Sequence, residues 1–93
     1  MDYKVTKIID GDTFEVTPMW HCKDKTGSVI RAAGYDTPER GQAGYGEAKE
    51  KLTRLLLNEE VELGEPLTIT YDRLLCKVFY DGKDVAEYFR EDM

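Results

Sequence analysis

The sequence has 93 residues, of which 13 are Lys or Arg and 19 are Asp or Glu, so its formal net charge is −6. A hydrophobic content of 41% supports a folded core and excludes a disordered chain. Apolar runs such as residues 55–57 are far too short for a membrane-spanning helix, which excludes an integral membrane protein of that kind. The composition therefore predicts one small domain over residues 1–93.

The charge balance and the first residues bear on where and how the protein acts. The start of the chain lacks the basic residues and apolar stretch of a secretory signal, so we expect an intracellular, cytoplasmic protein. Cys22 and Cys76 lie far apart without metal-ligand spacing and are expected to be two independent thiols. Because the net charge is negative, a role on nucleic acid requires local cations or a bound metal.

The chain opens with two β-rich runs, at residues 3–9 and 13–16, joined by the turn at residues 10–12. Gly11 in this turn is expected to supply the positive φ that a tight hairpin connection often requires. The polar stretch 17–28 predicts a longer hairpin loop, with Trp20 folded back on the body of the protein. A third strand is then predicted at residues 29–33.

A loop and one clear helix follow. Pro38 and three glycines predict irregular structure over residues 36–46. Apolar residues then recur every three or four positions from Ala48 to Leu56, with charged residues between them. This spacing predicts an amphipathic helix of about three turns.

The C-terminal third predicts further strands and a short last helix. Residues 61–63, 67–71 and 74–80 have strand character, with a break at residues 64–66. Asp84 is expected to cap the final helix. Several short antiparallel strands with one amphipathic helix favour a small barrel closed by that helix over a doubly wound sheet.

Three clusters of polar residues accompany these elements. They are residues 10–13 (DGDT), Arg31 with residues 36–39 (DTPE), and residues 71–75 (YDRLL). Each cluster alone is an ordinary turn, loop or solvated charge. Their conjunction in one short chain requires a functional explanation.

In motif, order and spacing the sequence resembles the thermonuclease family, the staphylococcal-nuclease-like domains. The resemblance rests on residues 9–14 (IDGDTF), 30–39 (IRAAGYDTPE) and 71–74 (YDRL), and it extends from about residue 5 to residue 85. It implies a five-stranded OB-fold barrel with one main amphipathic helix and a short C-terminal helix. It also implies a calcium-dependent nuclease that hydrolyses phosphodiester bonds of DNA or RNA, giving 3′-phosphate and 5′-hydroxyl ends.

The resemblance also implies a metal site. The matching positions place metal ligands at Asp12, Asp36 and the backbone carbonyl of Thr37. An oxygen-only ligand set of this kind suits a hard divalent cation, so Ca²⁺ fits the residues better than zinc does.

The catalytic positions follow from the same motifs. The family pattern places the catalytic carboxylate at Glu39 and phosphate-binding arginines at Arg31 and Arg73, and it matches Tyr71 to a substrate-binding tyrosine. A guanidinium donates two parallel hydrogen bonds to phosphate oxygens and stays charged at every relevant pH, so the residue types suit phosphodiester chemistry. Whether Glu39 orients or deprotonates the attacking water is left open.

Two departures from the family pattern leave an alternative in place. Asp72 stands where the family commonly has glycine, beside Arg73, and the chain is shorter at its C-terminus than the family domain. A non-catalytic OB-fold module that binds nucleic acid or protein is the alternative to a nuclease, and a structural fragment of a larger assembly is a third interpretation. The expected partner is single-stranded DNA or RNA, without a membrane, and the oligomeric state is open.

Overall fold

A computed structural model describes residues 2–90 of the chain. The described residues form six strands and two helices, one helix after the third strand and one after the sixth. In chain order they are β1 (Asp2–Asp10), β2 (Thr13–Cys22), β3 (Lys25–Ala32), α1 (Tyr45–Leu56), β4 (Glu60–Thr70), β5 (Arg73–Tyr80), β6 (Lys83–Asp84) and α2 (Val85–Arg90). Glu91 and Asp92, for which the acidic sequence predicts a solvated helix face, lie outside the described residues.

The first five strands close into a barrel. β1 pairs antiparallel with β2 and β4, β2 with β3, and β4 with β5, while a parallel pairing of β3 with β5 closes the ring. The two-residue β6 only extends the far edge of β5. This ring with two helices confirms the predicted five-stranded OB-fold type of barrel.

The parallel β3–β5 pair positions the two arginines of the motifs. Val29 lies opposite Arg73, and Arg31 lies opposite Leu75. Since side chains alternate between the two faces of a strand, Arg31 and Arg73 lie on the same face, two positions apart along the ladder. Ile30 and Leu74, the pair between these two positions of the ladder, are buried in the core.

The barrel interior and the two helices share one core. Inward-facing residues of the strands are fully buried, and Leu52 and Leu56 of α1 join them at 0% exposure. On α2, Val85 and Phe89 are buried as well. The N–H of Ala86 donates to Asp84 Oδ1 at 2.9 Å, which confirms the predicted cap of the last helix. Among the described residues, no helix is long and apolar enough to cross a membrane.

The predicted loop at residues 17–28 is wrong. β2 and β3 continue through this region as a hairpin, with Trp20 opposite Gly27 and Cys22 opposite Lys25. Only the middle of β2 departs from regular pairing, around Pro18, which has no N–H to donate. Most of these residues are exposed, so the period-2 apolar signal of a strand is absent, whereas the buried Trp20 confirms that this residue packs against the barrel.

The break predicted at residues 64–66 is also wrong. β4 runs without interruption from Glu60 to Thr70, with register shifts on either side of Pro66. An irregularity of this kind bends a strand and increases its twist without ending it. The Gly-Glu-Pro segment therefore curves β4 around the barrel.

Candidate active site

Six of the seven residues singled out from the motifs line one cleft of about 470 Å³. The cleft lies where the β1–β2 turn, the end of β3, the start of β5 and the loop before α1 meet. Its motif residues are Asp12, Arg31, Asp36, Thr37, Glu39 and Arg73. The fold therefore brings three segments that are distant in sequence to one place.

Arg31 lines this cleft and contacts two of its carboxylates. Its Nη2 contacts Asp36 Oδ1 at 2.6 Å and Asp12 Oδ2 at 3.3 Å, so the two carboxylates meet at one nitrogen. Its Nη1 donates to the backbone carbonyl of Tyr35 at 3.1 Å and to that of Ala32. The guanidinium is thus held by both main-chain and side-chain oxygens.

The two carboxylates differ strongly in exposure. The Asp12 side chain is 14% exposed, and the hydroxyl of the buried Thr13 donates to its Oδ1 at 2.9 Å. The Asp36 side chain is 93% exposed. Asp12 is therefore a fixed wall of the cleft, whereas Asp36 reaches Arg31 from the solvent side.

Gly11 is required for space rather than for its backbone conformation. Its φ is not positive, contrary to the sequence-based expectation. A Cβ at this position would lie 2.8 Å from the Cβ of Ala48 on α1 and 2.9 Å from Thr37 Oγ1. The close approach packs the Asp12 turn directly against α1 and the Thr37 loop, which brings Asp12 near Asp36.

Two tyrosine hydroxyls hold the same turn. Tyr35 donates to the carbonyl of Gly11 at 3.0 Å, and its ring stacks on Phe89 of α2 with centroids 4.4 Å apart. Tyr45 lies at the start of α1 with its hydroxyl 2.6 Å from Asp10 Oδ1. Burial raises the pKa of Tyr35 well above its usual range, with a further contribution from the Asp12 charge, so this hydroxyl remains a donor.

Glu39 lies on the exposed loop that leads to α1. Its carboxylate makes no ion pair within residues 2–90, and its backbone N–H donates to Gln42 Oε1 at 2.7 Å. An exposed and unpaired carboxylate is available to solvent in the cleft. It can accept a proton from a bound water molecule.

Arg73 opens onto two cavities. Together with Arg31 and Asp36 it lines the cleft and also a neighbouring cavity of about 610 Å³, whose wall includes Leu67 and Leu75. In the described part of the chain no carboxylate pairs with Arg73, not even the adjacent Asp72, which is exposed in the β4–β5 turn. The guanidinium is free to bind an anion that enters either cavity.

Tyr71 is the one motif residue that the structure leaves outside the cleft. It occupies the β4–β5 turn with φ 53°, and 89% of its surface is exposed. Tyr71 is not among the described residues that line the cleft. Any contact of Tyr71 with a substrate would therefore involve a part that extends beyond the cleft.

The cleft residues that the motifs assign to a metal offer oxygen atoms, the donor type that a hard cation prefers. Asp12 and Asp36 converge on one point and Thr37 lies beside them in the cleft, all without a sulfur or imidazole donor. Within residues 2–90, no group of three or more His, Cys, Asp or Glu side chains is arranged to hold a metal ion. At the present positions of the side chains, the guanidinium of Arg31 neutralises both carboxylates.

Two further charged residues, to which the sequence motifs assign no role, line the cleft. Asp10 lies in the same turn as Asp12, and Arg40 follows Glu39 directly. Their positions next to assigned residues were the available signal. With them the cleft contains four carboxylates and three guanidinium groups, so it is slightly acidic.

Comparisons with known proteins agree with the motifs. The chain is 33% identical over 76 residues to a micrococcal nuclease of Shigella flexneri, covering 82% of this chain and 41% of that protein. It is 30% identical over 82 residues to an uncharacterized endonuclease of Haemophilus influenzae, covering 88% and 44%. The chain spans less than half the length of these curated relatives, and no protein-family model matches it. The motifs, the barrel and these two relatives together support a thermonuclease-like family for the chain.

Proposed function

We propose that this protein is a nuclease that hydrolyses phosphodiester bonds of DNA or RNA in the cleft around Arg31. The observation that carries the proposal is the convergence of two arginines, two aspartates and an exposed glutamate on one cleft. Both curated relatives named above are nucleases by name, which supports the same reaction. In this reaction water is the nucleophile, because the cleft offers the exposed carboxylate of Glu39 to accept a proton from it.

The arginines bind the phosphate in this proposal. Arg73 is unpaired and accessible, so it meets the incoming phosphate first. Arg31 exchanges its contact with the exposed Asp36 for a phosphate oxygen, while its main-chain contacts keep it in place. Two guanidinium groups on one face stabilise the negative charge that increases on the phosphoryl oxygens in the transition state.

Glu39 orients the attacking water or accepts its proton. Its carboxylate is unpaired and exposed to the cleft. A group that accepts a proton from water must be accessible in this way. Attack on phosphorus opposite the 5′-oxygen releases a 5′-hydroxyl and leaves the phosphate on the 3′-oxygen. These are the end groups that we assign to the products.

We infer that the cofactor is Ca²⁺, held by Asp12, Asp36 and the carbonyl of Thr37. Calcium accepts six to eight oxygen ligands in flexible geometry, so water can fill the positions that these groups leave. When bound, the cation supplies charge that polarises a phosphoryl oxygen. The contacts of Asp12 and Asp36 with one nitrogen of Arg31 support this inference, because both carboxylates approach a common positive charge.

The neighbouring cavity favours a single-stranded substrate. It shares Arg31 and Arg73 with the cleft, and Leu67 and Leu75 form an apolar part of its wall. A nucleotide whose phosphate binds the arginines can place its sugar or base in this cavity. A base in a side cavity must be unpaired, so we expect single-stranded DNA or RNA to be preferred over a duplex.

The test is hydrolysis of single-stranded DNA by the purified protein in calcium and in chelator. We expect cleavage in calcium only, with 3′-phosphate ends on the products. Glu39→Gln should lower kcat by about 100-fold or more, since proton transfer contributes about 10²- to 10⁴-fold in enzymes. Glu87→Gln on the exposed face of α2 is the matched control and should retain wild-type activity.

A non-catalytic binding module is the second candidate. The observation that favours it is the pairing of Arg31 with both Asp12 and Asp36, which neutralises the groups that catalysis needs. Single-stranded DNA that binds the wild-type protein without being cleaved, at several millimolar calcium, would establish this candidate and refute the nuclease.

A further inference from the structure

Two consecutive turns shape the loop that carries Glu39. The N–H of Gln42 donates to the Glu39 carbonyl at 2.9 Å, and the N–H of Tyr45 donates to the Gln42 carbonyl at 3.2 Å. Gly41 (φ 92°) and Gly44 (φ 88°) occupy the third position of each turn, where a type II turn requires positive φ. The loop therefore follows a defined path from Glu39 into α1.

Gln42 makes one more hydrogen bond than the turns require. Its side-chain Oε1 accepts from the backbone N–H of Glu39 at 2.7 Å. Both polar backbone groups of Glu39, the N–H and the carbonyl, are thus bound by the same residue. This arrangement restricts the backbone of Glu39 from two sides.

We propose that Gln42 is a positioning residue that holds Glu39 in its reactive orientation, an inference that rests on the proposed nuclease function. The Glu39 carboxylate has no ion pair within residues 2–90, so the part of the cleft that it can reach is set by where the backbone places its Cα and Cβ. A shift of about 1 Å in a reacting group costs up to about 100-fold in rate. Loss of the Gln42 acceptor releases one side of that backbone.

The first test compares two substitutions of Gln42. Gln42→Met keeps the length of the side chain without a strong acceptor, whereas Gln42→Glu keeps an oxygen at the same reach. Calcium-dependent hydrolysis of single-stranded DNA is measured as kcat and KM. We expect Gln42→Met to lower kcat about 10- to 100-fold with KM within about threefold, since the arginines that bind phosphate stay in place. Gln42→Glu should keep kcat within about threefold of the wild type.

Gly41→Ala tests the turn without changing Gln42. A Cβ at Gly41 would meet nothing within 4 Å, so this substitution strains only the positive-φ backbone. Gly82 is the matched control, because it has φ 77°, has the same open surroundings and lies in the β5–β6 turn away from the cleft. We expect both alanine variants to lose a similar amount of thermal stability, and only Gly41→Ala to lose kcat.

The outcomes separate the two proposals. If the wild type cleaves DNA and Gln42→Met keeps kcat within threefold, or Gln42→Glu loses as much as Gln42→Met, the positioning role is overturned. A loss confined to KM overturns it too. An inactive wild type refutes the proposed function itself and, with it, this inference.

Discussion

The two arginines of the cleft differ in what holds them. Arg31 is bound by two main-chain carbonyls and two carboxylates, so it is rigid and largely neutralised. Arg73 has no carboxylate partner within residues 2–90 and lines both cavities. Since a free guanidinium attracts an anion more strongly than a paired one, we expect Arg73 to contribute the larger share of phosphate binding in the proposed reaction.

Arg73→Ala should therefore reduce activity far more than stability. Removal of one preorganised donor costs about 100- to 1,000-fold in kcat, or about 3 to 4 kcal/mol of barrier. The kcat of Arg73→Lys should lie between those of the wild type and Arg73→Ala, because an ammonium keeps the charge but loses the paired donors of the guanidinium. Steady-state hydrolysis of single-stranded DNA measures the effect, and thermal melts establish that the variants fold.

The control for the loss of charge is Arg54→Ala. Arg54 lies on α1 outside the cleft and pairs with Glu50. This substitution should leave kcat unchanged. An Arg73→Ala variant with kcat within about threefold of the wild type would place the phosphate elsewhere.

Among the secondary-structure elements, the β2–β3 hairpin depends on one aromatic anchor. Trp20 is buried at 1% exposure although its neighbours along the hairpin are exposed, and its Nε1 donates to the carbonyl of Val29 at 3.0 Å. Gly27 lies opposite Trp20 and leaves room for the indole. A small residue on one strand thus admits a large one on the other.

Gly27→Ala should destabilise the protein. The new Cβ would lie 2.6 Å from Trp20 Cζ2, closer than real contacts allow, so the indole or the strand must move. Overpacking of this kind costs about 1 to 3 kcal/mol. The free energy of unfolding in urea measures the loss, and Gly46→Ala in α1, where a Cβ meets nothing within 4 Å, should be neutral or stabilising. An unchanged free energy in Gly27→Ala would show that Trp20 is not tightly packed.

Over the whole molecule, cation binding should couple the cleft to stability. A ligand that binds only the folded state stabilises it by about 2.7 kcal/mol at one hundred times its Kd, which is several degrees in Tm for a domain of this size. Calcium should therefore raise Tm relative to chelator, and magnesium should raise it less because it demands stricter octahedral geometry. Thermal melts in the three conditions measure these shifts.

Asp36→Asn decides where the cation binds, because it removes one ligand charge with little change in shape. The calcium-induced rise should be lost in this variant and kept in Asp81→Asn, a substitution in the exposed β5–β6 turn outside the cleft. A rise that persists unchanged in Asp36→Asn would place the ion at another site.

We expect the buried Cys76 thiol to make the folded protein less stable in alkali. Burial raises the pKa of the Cys76 thiol to about 11, so the folded state keeps the proton at pH values where the unfolded chain has lost it. Stability from this group is therefore complete below about pH 9 and is lost as the pH rises to about 11. Tm should fall across this window, and Cys76→Ala, although less stable at pH 7, should lose less over the same range. Equal losses in both proteins would assign the alkaline sensitivity to other groups.

The sequence alone determined the type of barrel, the approximate positions of both helices and six of the residues that meet in the cleft. Local patterns are sufficient for α1, because Leu52 and Leu56 recur at helical spacing, and for the cap at Asp84. The motifs around Arg31 and Arg73 identified cleft residues because phosphate and metal chemistry restricts the residue types at those positions.

Only the tertiary structure decided how those residues are held. The path of β2 and β3 through an exposed hairpin depends on pairing across strands and on Trp20, which no local pattern shows. The role of Gly11 depends on α1, which is distant in sequence and packs against it. The pairing of Arg31 with two aspartates, the exposure of Tyr71 and the bond from Glu39 to Gln42 depend likewise on the three-dimensional path of the loops, since side-chain contacts follow from distances that a sequence does not contain.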